Sequence, residues 1–161
     1  MQVVLALNRF HTRLASLSDL SAICAIEDDS FRAPYPSSLL KRLLKDCSES
    51  FFVAVDDEGV LVGYCVFSRD VNSAHLISIA VHRRLRRKGV ASALLQRSIE
   101  YLNSNNFDQL WLEVGLNNLE ALSLYRKLGF GETATLKGYY SDGSDAVRMR
   151  LFLRNVSPKP H

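Results

Sequence analysis

The stretch His75–Ala93, HLISIAVHRRLRRKGVASA, decides how this chain reads. It opens as a short apolar strand, runs into a strongly basic turn that ends on Gly89, and continues as the start of a helix. Backbone N–H groups at a helix N-terminus have no partner inside the helix, and the helix dipole adds partial positive charge there. Gly89 lets a ligand approach the backbone with no Cβ in the way. Together with Arg86, Arg87 and Lys88 this makes a cradle for a phosphate-bearing cofactor. The local pattern leaves a second reading open, an arginine-rich turn bathed in solvent. Neither a G-x-x-x-x-G-K-[ST] loop nor a G-x-G-x-x-G loop occurs in the chain.

Upstream, Phe10–Ala15 predicts a strand, and Ser18 or Asp19 caps a helix carrying Leu20, Ile23, Cys24 and Glu27 at helical spacing. Pro34 and Pro36 interrupt it, because proline disfavours helix in the preceding residue. A second helix follows over Ser37–Asp46, with Leu39, Leu40, Leu43 and Leu44 as its apolar face. Phe51–Asp56 and Val60–Ser68 flank the turn at Gly59 as a hairpin. Downstream, Ala91, Leu94, Leu95, Ser98, Ile99 and Leu102 share one side of a helix. Gln109–Val114 alternates as a strand, with Trp111 and Glu113 on one face. Asn117–Leu128 is helical with Gly129 as its C-terminal cap. Phe130–Lys137 and Asp145–Leu153 are the last strands. These elements describe a single α+β domain spanning 1–161, with a core of about 10–153, a tail at 154–161 and a mixed, mostly antiparallel central sheet flanked by helices.

The bulk properties exclude several classes. The chain has 161 residues and a formal charge of +3, from 20 basic and 17 acidic residues, too little to argue for nucleic acid. Much of the excess sits in Arg83–Lys88, as a local anion site requires. Cys24, Cys47 and Cys65 form no C-x-x-C pair and lie in apolar patterns, which predicts buried free thiols and no metal site. Such thiols suit a reducing cytoplasm. The opening MQVVLAL is too short for a signal core with its flanks, and no apolar run approaches membrane length.

A cradle needs chemistry beside it. Glu113 is a charged residue inside the apolar strand LWLEV. Burial there would raise its pKa, as a general base working near neutrality requires; a solvent-facing strand position is the competing reading. Tyr125 lies on the apolar face of its helix. A phenol, with an ordinary pKa of about 10, keeps its proton at pH 7 and can protonate a thiolate; a core tyrosine fits the pattern as well. Asn118 opens the same helix, where its amide can cap the helix, bond an amide-rich ligand such as pantetheine, or do both.

Taken together, His75–Leu153 resembles the catalytic half of the GNAT superfamily of N-acetyltransferases, and within it the N-terminal protein acetyltransferases, especially those acting on ribosomal proteins. Four spaced elements carry the resemblance. Ile79-Ala80-Val81 followed by Arg86–Ala91 fits the strand and the Arg/Gln-x-x-Gly-x-Gly/Ala loop, with Ala91 at the last position. Glu113, Asn118 and Tyr125 keep the family spacing. Leu124–Phe130 matches L-Y-x-x-L-G-F, and Tyr139–Ala146 matches Y-Y-x-D-G-x-D-A. The N-terminal half matches more loosely, through Phe31 and Pro34-Tyr35-Pro36.

The resemblance implies acetyl-CoA as co-substrate, with its pantetheine arm on Ile79, Ala80 and Val81 and its pyrophosphate on Arg86, Arg87, Lys88, Gly89, Val90, Ala91 and Ser92. Asn118 and Tyr125 would also contact it. Glu113 would be the base, directly or through water, although another branch of the family has histidine there. Tyr125 would be the acid, and Phe31, Tyr35, Tyr139 and Tyr140 would hold the incoming N-terminus. The implied activity is direct acetyl transfer to protein or peptide N-termini in the cytoplasm, without metal, nucleic acid or membrane, with an auxiliary subunit as a conceivable partner. A small-molecule amine or lysine acetyltransferase and a non-catalytic CoA-binding module are the alternatives.

Overall fold

The computed structural model describes residues 9–153; the opening MQVVLAL and the tail at 154–161 lie outside them. The described elements are β1 (Phe10–Leu14), α1 (Leu20–Ser30), α2 (Ser37–Asp46), β2 (Phe51–Asp56), β3 (Leu61–Arg69), β4 (Ser73–Val81), α3 (Val90–Ser104), β5 (Gln109–Gly115), α4 (Leu119–Lys127), β6 (Gly131–Leu136) and β7 (Ala146–Phe152). The strands stand in the order β1-β2-β3-β4-β5-β7-β6. The pairs β1–β2, β2–β3, β5–β7 and β6–β7 are antiparallel, whereas β4–β5 is parallel. A parallel pair needs a long crossover, and α3 supplies it. The α+β class and the mixed, mostly antiparallel sheet are as expected.

The start of α1 differs from expectation. Neither Ser18 nor Asp19 caps it with a side chain; a 3-10 turn over Leu17–Asp19 precedes it instead. Asp19 turns back: its Oδ2 accepts the Ser16 N–H at 2.8 Å, and Arg13 donates to both carboxylate oxygens at 2.8 and 2.9 Å. The charged donor on β1 draws the carboxylate away from the helix it opens. At the other end, the proline segment stops α1 at Ser30 and releases α2 at Ser37 as predicted.

Close contacts divide the chain into two compact units. Among the described residues, one is built on 9–66 plus Ile79–Leu94, the other on Phe67–Ser78 plus 95–153. In the first unit, Phe51–Val55 and Leu61–Val66 are buried, Gly63 included, and Ile23, Ile26, Leu40 and Leu44 of the helices are buried with them. Each such aliphatic side chain contributes about 1.5–3 kcal/mol on leaving water. In the second unit, Leu110, Leu112 and Val114 are buried while Trp111 and Glu113 occupy the half-buried opposite face of β5.

Helix α4 ends in a two-bond C-terminal motif that positions Tyr125. Gly129 takes φ +99°, its N–H donates to Arg126 O, and the Phe130 N–H donates to Tyr125 O, both at 3.0 Å. The rings of Phe130 and Tyr125 meet with centroids 5.7 Å apart, the apolar contact such motifs favour. None of the three cysteines is in a disulfide; Cys47 and Cys65 are buried and Cys24 is only half-buried. Among the described residues, no helix is long and apolar enough to cross a membrane, and no group of three His, Cys, Asp or Glu residues could hold a metal.

Candidate active site

In the first unit, β4 runs out through Ile79, Ala80 and Val81 into the basic turn. Arg87 and Gly89 both adopt left-handed backbone, with φ of 62° and 84°. No atom lies within 4 Å of the place a Cβ would take on Gly89, so its face is open. The first hydrogen bond of α3 runs from Ala93 N–H to Gly89 O at 3.0 Å, so the amides of Val90, Ala91 and Ser92 precede the helix's own ladder. Val90 is buried and anchors the turn, whereas Arg87 and Lys88 are exposed. Arg86 is exposed too, but two of its nitrogens are engaged: its Nε donates to Val81 O at 3.1 Å and its Nη2 to Ser30 Oγ at 3.3 Å. It braces the loop. Arg83 pairs with Asp29 and holds that carboxyl below its usual range.

Of the residues expected to hold the acceptor, Phe31 is exposed and Tyr35 half-buried in the same unit. The Tyr35 N–H donates to Glu27 Oε1 at 3.0 Å, and the buried Tyr64 hydroxyl donates to the other oxygen of that buried carboxylate. The chain after α1 is thereby tied to β3.

The second unit holds the candidate base. The Glu113 side chain is 9% exposed, and its oxygens meet two partners. His75 Nε2 lies 2.7 Å from Oε2, and Arg148 Nη2 donates to Oε1 at 3.3 Å. The His75 ring stacks on Trp111 with centroids 3.9 Å apart and planes 14° apart, while the Arg148 guanidinium carbon lies 5.1 Å from the indole centroid. The carboxylate is withdrawn from solvent, as the burial reading expected and the solvent-facing one did not, and it is bonded on both oxygens.

Tyr125 is 6% exposed on the inner side of α4. Asn118 caps that helix, its Oδ1 accepting the Ala121 N–H at 3.2 Å. Tyr139 and Tyr140 sit edge to face with centroids 5.0 Å apart, on a loop tied by the Gly138 N–H to Asp145 Oδ1 at 2.9 Å. Burial and the nearby Glu113 charge push the Tyr139 phenol above its ordinary pKa, against the pull of Arg148. Glu113, Arg148 and Tyr139 therefore share one electrostatic neighbourhood.

A family model described as Acetyltransferase (GNAT) family matches residues 20–130. This chain belongs to the GNAT family. An N-alpha-acetyltransferase of Sulfolobus acidocaldarius is 37% identical over 153 residues, 87% of this chain and 90% of that one. A ribosomal protein bS18-alanine N-acetyltransferase of Escherichia coli is 30% identical over 138 residues, 83% of this chain and 91% of that one. The crystal structure of Ard1 from Thermoplasma volcanium matches with a TM-score of 0.86 at 34% identity, covering 90% of this chain and 98% of its own. The chain is an acetyl-CoA-dependent N-acetyltransferase.

The GNAT motifs pointed to Glu113 but not to its surroundings. His75 and Arg148 were visible only as strand residues, although a charged side chain at an alternating position between apolar ones is the same signal that singled out Glu113. Arg148 shows it in AVRMRL, and His75 shows it in AHLISI.

Proposed function

We propose that Glu113 is the base and Tyr125 the acid of an N-terminal acetyl transfer, in which this enzyme, as a single domain over 1–161, acetylates the α-amino group of proteins or peptides. The relatives named for N-alpha and ribosomal-protein alanine acetylation support the acceptor class. The observation that carries the base is the Glu113 carboxylate, nearly buried and bonded on both oxygens. An α-amine has a pKa of about 7.7–8, so roughly a tenth is neutral at pH 7 and a carboxylate is an adequate base.

The open face of Gly89 and the left-handed turn fit a phosphate-bearing ligand, since such turns present backbone N–H groups to anions. Arg87–Ser92 would bind the pyrophosphate of acetyl-CoA, with Arg86 shaping the loop. The backbone of Ile79–Val81, together with Asn118 and Tyr125, would bind the pantetheine arm. Acetyl-CoA supplies a thioester, whose C–S bond breaks as the acceptor nitrogen forms its C–N bond. Glu113 accepts the proton the amine gives up, directly or through water. The Tyr125 hydroxyl gives its proton to the departing sulfur, and a backbone N–H of Ile79–Val81 donates to the carbonyl oxygen as charge builds there.

Phe31, Tyr35, Tyr139 and Tyr140 would line the acceptor. The Tyr139 phenol keeps its proton at pH 7 and is a hydrogen-bond donor suited to a peptide carbonyl. Cysteines without a disulfide suit a reducing compartment, and the reading includes a cytoplasmic setting. Glu113→Gln and Tyr125→Phe should each lower kcat by about a hundredfold or more, with the acetyl-CoA KM nearly unchanged. Wild-type rates in either variant would remove the corresponding role.

A further inference from the structure

Trp111 and Glu113 stand two residues apart on β5, and the strands on either side answer both positions. His75 on β4 is in register with Trp111 and diagonal to Glu113; Arg148 on β7 is in register with Glu113 and diagonal to Trp111. Opposite and diagonal neighbours in a sheet lie within reach of aromatic and long side chains. Each flanking residue accordingly meets both members of β5. His75 stacks on the indole and reaches Glu113 Oε2; Arg148 lies against the indole and donates to Glu113 Oε1.

We propose that Trp111 and Arg148 are positioning residues for the transfer: the indole is the platform that holds His75 and Arg148 against the two oxygens of Glu113 and so fixes the plane of the carboxylate. The proposal rests on Glu113 being the base. A glutamate side chain rotates freely about its last bond, and two donors on separate oxygens remove that freedom. Reacting groups held within a narrow range of geometry gain rate, and small displacements lose it.

Two details support a built arrangement. Arg148 Nε is buried with no hydrogen-bond partner among the described residues, so the guanidinium is aimed by Glu113 and Trp111 at the expense of its own satisfaction. The backbone behind it is held as well: β6 carries a register shift between Glu132 and Ala134, and Thr133 Oγ1 donates to Arg148 O at 3.3 Å. Tyr139, from the loop before β7, feels the charges of Glu113 and Arg148, and Arg150 stands in register with Trp111 on β7.

The test uses the purified full chain and a peptide with a free N-terminus. Arg148→Gln, Arg148→Lys, Trp111→Phe, Trp111→Leu and Glu113→Gln are each checked for folding by thermal melting. Arg148→Gln and Trp111→Leu should lower kcat roughly ten- to a hundredfold with little change in the acetyl-CoA KM, and Arg148→Lys and Trp111→Phe should recover most of that loss. The chain has one tryptophan. Its fluorescence therefore reads the stack directly, and Arg148→Gln and Glu113→Gln should both change its emission intensity. Folded Arg148→Gln and Trp111→Leu proteins with wild-type kcat, or emission indifferent to Arg148 and Glu113, would overturn the clamp while a dead Glu113→Gln protein kept the base. A fully active Glu113→Gln protein would remove the base, and the clamp's purpose with it.

Discussion

The carbonyl oxygen of Ala80 stands 3.1 Å from the place a Cβ would occupy on Gly63, and Val90 Cγ1 is equally close. The end of β4 and the first residue of α3 thus rest against β3 only because residue 63 has no side chain. A methyl group there meets backbone, which cannot swing aside. Gly63→Ala should lower stability by about 1–3 kcal/mol in urea titrations. Because Val90 follows Gly89, the same change should raise the acetyl-CoA KM. A variant as stable as the wild type would contradict this packing.

Gly89 adopts φ +84° with open space before it. An alanine there pays about 1–2 kcal/mol for the left-handed conformation. If the loop holds the pyrophosphate, Gly89→Ala should weaken acetyl-CoA binding about tenfold by calorimetric titration, the equivalent of about 1.4 kcal/mol. The kcat at saturation should change little. Unaltered affinity would argue against the cradle.

Gly129 ends α4 at φ +99°, and an added Cβ would meet Leu151 Cδ1 at 3.3 Å. Gly129→Ala should cost about 1–2 kcal/mol of stability. It should also reduce kcat, because the last turn of that helix holds Tyr125. Stability loss without a rate effect would separate the cap from the acid role proposed for Tyr125.

Asp19 has a pKa below the ordinary carboxylate value, chiefly through its hydrogen bonds from Arg13, helped by the Ser16 N–H and opposed by burial. A carboxyl depressed in the folded state stabilises it fully above the unfolded value of about 3.9, and that contribution is lost as pH falls through the lower folded value. Asp19→Asn should therefore cost about 0.5–1 kcal/mol at pH 7, the scale of a partly exposed ion pair. The gap between variant and wild type should close in strong acid. Urea midpoints at neutral pH and near pH 2 measure this, and a gap independent of pH would contradict the assignment.

Much of the fold was legible in local pattern. LWLEV alternates with period two, so β5 and the shared face of Trp111 and Glu113 could be read directly. The prolines before Ser37 and the leucine spacing after it marked α2, and Gly129 marked the end of α4. The partners of Glu113 were not legible. His75 and Arg148 lie 38 and 35 residues away, and only strand register brings them to the carboxylate. Asp19 shows a different limit, since capping preference looks forward into the helix while its charge is claimed by Arg13 behind it. The bond from Arg86 to Val81 O was equally hidden, because a basic run does not say which of its side chains the backbone will use.

The most direct test of the account is thiol release from acetyl-CoA by the purified chain, with short peptides whose N-termini are either free or blocked. The account predicts turnover with free α-amines and none above background with blocked ones, and mass spectrometry should find the acetyl group on the first residue. Acetylation confined to lysine side chains or to small amines, with free peptide N-termini untouched, would contradict it.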